Sequence, residues 1–356
     1  MTIPVGILDQ TPIYEGETAE QSFQRTLQLA QLAERLGYQR FWVSEHHDSA
    51  QVSGSSPEVL ISHLLAHTKE LIIGSGGVML QHYSPYKVAE NFNVLAALAP
   101  GRVELGIGRA PGGLPRSTRA LQGEQSDTRS LTDKLEETRR FLRNDVPDDH
   151  PLAGIHVSPQ PTQPAPLLLL GASRDSAELA AKQGLPYVFS LFINGDEEIA
   201  LEAIETYRQS FVPSAELAEP HAILALSVIV ADTDEQANEL AGENLSVKIH
   251  LNSGRVLTVA TVEQAEEFGR QSNEPFRIEV KEAKVVKGAP SSVYTQLSDI
   301  RNRFGIQELI VHTVIRDFGQ RVRSFELLQQ VFAQHGEGRT VAGQTAPDRG
   351  AAVSAG

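Results

Sequence analysis

Three ionisable side chains in a row, Glu45, His46 and His47, end a short apolar stretch at residues 41–44. Carboxylate and imidazole groups transfer protons, and an imidazole with an ordinary pKa of about 6.5 does so close to neutral pH. General acid–base catalysis needs such groups at defined positions. The cluster therefore predicts a site of proton handling, in which at least one of the three side chains acts and the others cap or pair.

Two further stretches combine glycine with arginine or hydroxyl side chains, which suits an anion. In GIGRAPGG, Arg109 follows a glycine; an arginine there can bind a phosphate or carboxylate, and a surface ion pair is the alternative. In LLLLGASRDSAELAA the candidate donors at the start of a helix are Gly171, Ser173, Arg174 and Ser176. Helix N-termini bind anions through free backbone N–H groups. A simple N-cap by Ser173 is the alternative here.

A glycine pair, Gly76 and Gly77, interrupts the apolar stretch LIIGSGGVML at residues 71–80. Glycine is unfavourable inside a strand unless the chain kinks or a backbone or ligand approaches closely. The pair therefore predicts that a flat group lies against this strand.

Composition narrows the choice of partners. The chain carries 31 basic and 45 acidic residues, a net charge of −14, and no cysteine. The acidity argues against nucleic acid or an anionic membrane as the main partner, and thiolate chemistry is excluded.

His63 and His67 lack the glutamate of a His-Glu-x-x-His zinc motif, so we expect no metal. Without a signal peptide or a membrane-spanning apolar run, we expect a cytoplasmic protein.

Eight apolar stretches predict strands, and predicted helices alternate with them. The strands are expected at 3–9, 40–44, 71–80, 102–108, 167–170, 186–191, 223–230 and 308–313. Alternating strands and helices form parallel sheets, and eight units most simply close into a TIM (β/α)8 barrel. An open, doubly wound sheet is the alternative. A barrel would bring the Glu45–His47 cluster, Arg109 and the turn at 171–176 together at its C-terminal mouth.

Helices and insertions complete the predicted domain. Helices are expected at 57–67, 85–99, 127–143, 174–183, 196–209, 233–248, 291–304 and 319–334. Two excursions interrupt the barrel, a small hairpin within 144–166 and a longer segment at 249–289 with a short helical patch at 261–271. We predict one barrel domain over residues 1–335. Residues 336–356 have few large apolar side chains, which predicts a disordered tail.

Taken together, SEHHDS, GSGGVML and GRVELGIGR resemble the bacterial-luciferase-like flavin-dependent monooxygenases. The similarity begins at ILDQTP, runs through LLLLGASRDSAELAAKQGLPYVFS and resumes at VYTQLSDIRNRFGIQELIV. It implies a barrel that binds reduced FMN at its mouth. It also implies that O2 adds to the flavin and that the resulting C4a-peroxyflavin oxidises a small organic substrate. NAD(P)H would act indirectly, through a separate flavin reductase.

The resemblance also implies roles for individual residues. His46 matches the histidine near the reactive edge of the flavin, and Gly76 and Gly77 match residues that flank a non-prolyl cis peptide beneath the ring. The positions that match the phosphate site and its approach are Arg109, Gly171, Ala172, Ser173 and Ser176.

Departures from bacterial luciferase limit what is inherited. Gly108 stands where that enzyme has a reactive cysteine, and Ala172 where it has a glutamate, so aldehyde-dependent light emission is not implied. Two alternatives remain open, a deazaflavin-dependent dehydrogenase on the same barrel and a non-catalytic flavin-binding protein. We expect a homodimer.

Overall fold

The computed structural model describes residues 4–123, 127 and 129–336. Its strands, in chain order, are β1 (Val5–Asp9), β2 (Arg40–Val43), β3 (Ile72–Ser75), β4 (Val78–Met79), β5 (Val103–Gly108), β6 (Leu167–Gly171), β7 (Tyr187–Ser190), β8 (Ala222–Val230), β9 (Leu245–Leu251), β10 (Val256–Val259), β11 (Phe276–Glu282), β12 (Val286–Gly288) and β13 (Glu308–His312).

The helices surround these strands. They are α1 (Ala19–Leu36), α2 (Pro57–Ala66), α3 (Pro85–Leu98), α4 (Pro115–Gln122), α5 (Leu131–Arg143), α6 (Arg174–Lys182), α7 (Leu191–Asn194), α8 (Glu197–Gln209), α9 (Asp234–Ala241), α10 (Val262–Ser272), α11 (Pro290–Phe304) and α12 (Phe318–Gln334). A short 3₁₀ helix covers Leu80–His82. Within the described residues, no helix is long and apolar enough to cross a membrane.

A closed ring of eight parallel strand positions forms the barrel. Going around the ring, β1 pairs with β2, then β3 with its continuation β4, β5, β6, β7, β8 and β13, and β13 pairs with β1. The closure confirms the predicted TIM barrel and excludes the open sheet. A parallel barrel of this kind places all strand C-termini at one mouth.

Side chains alternate between the barrel interior and the helix layer, as in other small barrels. The interior cluster consists of Leu8, Trp42, Leu168, Leu170, Val188, Ile223, Ala225 and Ile310. Their neighbours in sequence, such as Ile7 and Leu169, pack outward against the helices. The alternation fixes which residues at the strand ends face the mouth.

Local sequence explains where the helices stop and start. The first helix, α1, begins at a capping box in which the Thr18 hydroxyl accepts from the Gln21 backbone N–H, and it ends at Gly37 with φ +83°. Glycine tolerates this left-handed conformation, which most residues avoid. The predicted helix at 127–143 begins later, at Leu131, because Ser130 forms its capping box with Asp133.

The segment between β8 and β13 departs from the predicted pattern. The helix expected at 233–248 is wrong in its second half, since α9 ends at Ala241 and residues 245–251 form β9. Alternating burial in LSVKIHL suits a strand better than a helix. Strands β9, β10 and β11 build an antiparallel sheet separate from the barrel sheet, and α10 confirms the helical patch at 261–271. We call residues 245–282 the insertion.

Two other expectations concern the first excursion and the tail, and one helix was not expected. Residues 144–166 form turns without a strand or helix, so the predicted hairpin is wrong. Helix α4, which follows β5, was not predicted. The tail expected to be disordered lies outside the described residues, apart from Gly336.

A buried ionic cluster closes the barrel at the end opposite the mouth. The Arg40 guanidinium lies between two carboxylates, with Nη2 3.2 Å from Glu104 Oε1 and Nη1 3.0 Å from Glu308 Oε1. Trp42 Nε1 donates to Glu104 Oε2 at 2.7 Å. Burial raises the pKa of Glu104, and the positive charge of Arg40 opposes this effect. The single guanidinium therefore compensates two buried carboxyl groups.

Candidate active site

The barrel mouth has two chemically different sides. Gly76, directly after β3, and Gly106, within β5, face inward, since a Cβ would lie 2.7 Å from the interior side chain of Leu8 at Gly76 and 2.8 Å from that of Leu170 at Gly106. On β2, β8 and β13 the residues that continue the interior alternation are polar. They are Ser44, Ser227 and His312. The mouth therefore combines a side made of backbone with a side made of hydroxyl and imidazole groups.

His46 lies half-buried just past β2, on the polar side of the mouth. Its Nδ1 is 3.1 Å from the Ser44 hydroxyl, and its backbone N–H donates to the Gly54 carbonyl at 2.7 Å. Burial lowers the pKa of His46 to about 4. With a pKa this low the ring stays neutral even in mildly acidic solution, where an imidazole with the ordinary pKa would be protonated. Such a ring acts by donating or accepting hydrogen bonds.

Glu45 and His47 pair with each other. His47 Nε2 is 2.7 Å from Glu45 Oε1, the same oxygen accepts the Tyr83 hydroxyl at 2.7 Å, and Oε2 accepts the Met79 backbone N–H at 3.0 Å. Burial and the neighbouring carboxylate raise the pKa of Tyr83, so its phenol remains a donor. Glu45 thus joins the end of β2 to β4. In the described part of the chain, His46 Nε2 and His47 Nδ1 have no hydrogen-bond partner, but only the His46 ring is free of a carboxylate.

The Gly76–Gly77 peptide bond is cis, as predicted. A Cβ at Gly77 would lie 2.7 Å from the Gly106 carbonyl oxygen, and one at Gly106 only 2.1 Å from the Ser75 carbonyl oxygen. Close approach of the chain to itself therefore accounts for these glycines. They do not by themselves indicate a flat ligand, although they leave this side of the mouth without side chains.

Arg109 follows β5 directly and is exposed. Among the described residues, no ion pair or hydrogen bond engages its guanidinium, which disfavours the surface ion pair considered from the sequence. β5 pairs in parallel with β6, with Ile107 opposite Leu169. Arg109 therefore lies next to the turn at 171–176, which follows β6.

The turn at 171–176 is held together by its own side chains. The Ser176 hydroxyl is buried, lies 2.9 Å from the Tyr187 hydroxyl and donates to the Ser173 carbonyl at 2.7 Å. A Cβ on Gly171 would lie 2.1 Å from Ser176 Oγ, so glycine is required there. The Ala172 carbonyl accepts from Asn194 Nδ2 at 2.7 Å. Ser173 and Ser176 form a capping box, as the N-cap alternative predicted, so their hydroxyls stabilise the turn.

The free donors of this turn are backbone groups. The Arg174 guanidinium is 3.2 Å from Glu178 and 2.9 Å from Glu202. It is therefore not available to an anion bound between Arg109 and this turn unless these pairs break. The backbone N–H groups of Arg174 and Asp175 have no acceptor in the described part of the chain. An anion bound here would meet the Arg109 guanidinium and two N–H groups at a helix N-terminus.

One residue at the mouth, His312, was missed from the sequence. It ends β13, its Nδ1 is 3.0 Å from the Ser227 hydroxyl, and its ring stacks on Phe192 with centroids 4.9 Å apart. The rule that singled out His46, an ionisable residue at a strand's C-terminal end, would have found it.

The insertion contacts the loops on both sides of β6. Leu114, after β5, packs with Val247 and Phe268 of the insertion. After β7, the Asn194 carbonyl accepts from Lys248 Nζ at 2.6 Å, and the Ile193 carbonyl accepts from the Thr258 hydroxyl at 2.9 Å. The insertion therefore bridges the two strand ends that flank the turn at 171–176.

Metal-binding geometry is absent from the residues that the structure describes, where no three His, Cys, Asp or Glu side chains are grouped to hold an ion. His63 lies on α2 and His67 caps it, outside the barrel, and their rings are 4.4 Å apart. Their neighbourhood supplies no third ligand.

Comparison with known proteins gives the family. The profile of the luciferase-like monooxygenases matches residues 3–300. The chain is 43% identical to the N-acetyl-S-alkylcysteine monooxygenase of Bacillus subtilis over 92% of its own length and 97% of that protein. The crystal structure of apo-MsnO8 superposes with a TM-score of 0.77, at 36% identity over 93% of this chain and 98% of that one.

A more distant structure shows the same fold. The oxygenating constituent of 3,6-diketocamphane monooxygenase from Pseudomonas putida, in complex with FMN, has a TM-score of 0.66 at 17% identity and covers 93% of this chain and 98% of its own. At least one protein that shares this barrel fold thus forms a complex with FMN. From the family match over most of its length and from its barrel, the chain belongs to the luciferase-like monooxygenases.

Proposed function

We propose that this protein is a monooxygenase that uses reduced FMN and O2 to oxidise a small organic substrate. The observation that carries the proposal is the position of Arg109, whose guanidinium has no partner among the described residues, at the end of the strand next to the free N–H groups of the turn at 171–176. This donor set suits a phosphate. The adjoining side of the mouth, without side chains at Gly76 and Gly106, suits a flat ring. Reduced FMN supplies two electrons, so that one oxygen atom enters the substrate and the other leaves as water.

Each part of the mouth has a role in this proposal. Arg109 and the N–H groups of Arg174 and Asp175 would hold the phosphate, and Gly171 keeps the turn close enough for Ser176 to stabilise it. Neutral His46, oriented by Ser44, would hydrogen-bond at the reacting side. Because the ring is neutral, it supplies polarity without placing a charge in the pocket.

We further infer that an N-acylated thioether is the first substrate class to test. The support is the 43% identity to a protein named N-acetyl-S-alkylcysteine monooxygenase. We also propose that a separate NAD(P)H-dependent reductase supplies the reduced flavin. Mixing this protein with FMN and NADH alone should therefore leave FMN oxidised, and adding a flavin reductase should start O2 consumption.

The deciding experiment supplies photoreduced FMN, 18O2 and N-acetyl-S-benzylcysteine, together with a wider panel of thioethers, ketones and aromatics. Incorporation of one labelled oxygen atom per product would support the proposal. Oxidation of an alcohol by a deazaflavin without O2 would select the dehydrogenase instead. Flavin binding without turnover of any compound would select the non-catalytic flavin-binding protein.

Replacing Arg109 tests the phosphate site. A charge-assisted hydrogen bond contributes roughly 1.5–3 kcal/mol, so Arg109→Ala should weaken FMN binding by about tenfold to a hundredfold. Riboflavin lacks the phosphate, so the wild type and Arg109→Ala should bind it with equal affinity. Fluorescence titration with both flavins measures this. Arg174→Ala is the matched control, because its guanidinium pairs with Glu178 and Glu202, and it should change FMN affinity little. Equal losses for FMN and riboflavin would contradict the assignment.

We propose a homodimer formed through α2 and α3. Val59, Val94 and Leu98 on these helices are exposed by 67%, 42% and 68%, an apolar surface that a second copy of the chain would cover. Leu98→Asp should convert dimers to monomers in light scattering. Val256→Asp, at an exposed apolar residue of the insertion, should not. A monomeric wild-type protein at micromolar concentration would contradict this proposal.

A further inference from the structure

His312 is fixed in the barrel mouth on two sides. It follows the interior residue Ile310 by two positions in β13 and lies directly opposite Ser227 of β8, so its side chain faces inward. Ser227 Oγ is 3.0 Å from its Nδ1. Phe192, which also packs on the interior cluster, stacks on the ring at an interplanar angle of 26°. The ring plane is therefore defined before any ligand binds.

The second ring nitrogen of His312 is left free. In the described part of the chain, Nε2 has no hydrogen-bond partner. His82 provides the contrast, because its Nε2 lies 2.8 Å from the Pro111 carbonyl and its Nδ1 lies 3.2 Å from Gln122 Nε2. His312 Nε2 is not one of the enclosed side-chain atoms that lack a partner, so it opens onto the mouth. A histidine that only packs would resemble His82, whereas His312 presents an unpaired nitrogen where a ligand can reach it.

The surroundings define which partner would fit. Burial lowers the pKa of His312 to about 4, so the ring is neutral at neutral pH. Phe192 is apolar, His46 on the same side of the mouth is also neutral, and the charge of Arg321 is compensated by Asp9 at 2.7 Å. A carboxylate or ammonium group would meet no opposite charge at this position, which makes its desolvation costly. An uncharged carbonyl oxygen would accept a hydrogen bond from Nε2–H at little cost.

We propose that His312 is a substrate-binding residue whose Nε2–H donates to an uncharged carbonyl oxygen, such as an amide, of the substrate. Ser227 fixes the tautomer by donating its hydroxyl proton to Nδ1, and Phe192 packs against the apolar part of the ligand next to that carbonyl. The inference rests on the proposed function, and it specifies which polar group the substrate presents to the β13 side of the mouth.

The test measures binding, so that it does not depend on turnover. Calorimetry on the purified protein, with FMN added, compares N-acetyl-S-benzylcysteine with S-benzylcysteine, which lacks the amide carbonyl. His312→Phe removes the donor and keeps a stacking ring. It should weaken binding of N-acetyl-S-benzylcysteine about tenfold, as expected for one lost hydrogen bond. The affinity for S-benzylcysteine should stay within about threefold of the wild-type value. His312→Gln keeps an N–H donor and should restore most of the affinity.

Controls separate this inference from the proposed function. His335→Phe changes a histidine that stacks on Tyr294 at the end of α12, away from the mouth, and should bind both compounds like the wild type. Equal affinity of the wild type and His312→Phe for the acetylated compound, or no binding of that compound to the wild type, would overturn the inference. If binding discriminates as expected but no labelled oxygen is incorporated, the proposed function fails and the assignment of His312 stands.

Discussion

His46→Ala should bind FMN within a few-fold of the wild type and lose most of its product per flavin oxidised. The neutral imidazole, oriented by Ser44 at 3.1 Å, presents Nε2 to the mouth. Removing one preoriented hydrogen-bonding group from a reacting site typically costs about 10²–10³-fold in rate. We therefore expect a loss of that size in product formation, with the reduced oxygen released as hydrogen peroxide. Quantifying product and peroxide together measures this coupling.

His47, the next residue, provides a control for this experiment, and the effect of His46→Ala should not depend on pH near neutrality. His47→Ala disturbs the pair with Glu45 and should lower stability while keeping product and flavin oxidation coupled. Because the pKa of His46 is about 4, its ring is neutral throughout the range from about pH 6 to about pH 8. The ratio of wild-type to His46→Ala coupling should therefore be constant across that range. Full coupling in His46→Ala would show that the histidine is structural.

Arg40→Met should be the most destabilising of these substitutions. It leaves Glu104 and Glu308 buried at the closed end of the barrel without the guanidinium that lies 3.2 and 3.0 Å from them. Removing one partner of a buried ion pair typically costs about 3–5 kcal/mol. Urea unfolding at neutral pH should show a loss of that size. Arg323→Met, which breaks an exposed pair with Asp232, should cost less than about 1 kcal/mol.

Acid should partly rescue Arg40→Met. Burial already raises the pKa of Glu104, and loss of the positive charge raises it further. A carboxyl group with a raised folded-state pKa destabilises the fold above that pKa and ceases to do so as the pH falls toward the unfolded value of about 4.3. The deficit relative to the wild type should therefore shrink from neutral pH to about pH 5. An unchanged deficit would mean that lost packing, not charge, causes it.

The barrel was predictable from sequence because its signals are local. Each strand is a short apolar run between helical patterns, and the strand ends at Glu45 and Arg109 could be placed at the mouth by topology alone. The fold of the insertion was harder to predict from the sequence. LSVKIHL alternates apolar and polar residues, which is a strand signal present in the sequence, but the strands β10 and β11 that pair with it and the helix α10 that covers its apolar side come from other segments. Such pairing is a tertiary effect that no single stretch of sequence contains.

The sequence predicted where the site residues lie better than it predicted which hydrogen bonds and ion pairs they form. The sequence indicated that Ser176 and Arg174 stand at a helix start, yet the hydroxyl is taken by Tyr187 and the guanidinium by two glutamates on helices α6 and α8. Glu178 is one helical turn from Arg174 and could be read from the sequence, whereas Tyr187 and Glu202 lie on other elements. The pKa of His46 was equally inaccessible, since it depends on how deeply the completed barrel buries the ring.

The position of the insertion has a consequence for the residence time of any molecule held beside the turn at 171–176. The insertion's three-stranded sheet is separate from the barrel sheet and rests on the loops after β5 and β7 through Leu114, Asn194 and Ile193. Lifting it would break these contacts and the hydrogen bond from the Arg116 backbone N–H to Gln271 Oε1, and it would leave the barrel intact, which is a local opening and not global unfolding. The free energy of that opening would limit how fast a bound molecule escapes. Substitutions at Lys248 or Thr258 would then shorten retention without altering a single group that touches the ligand.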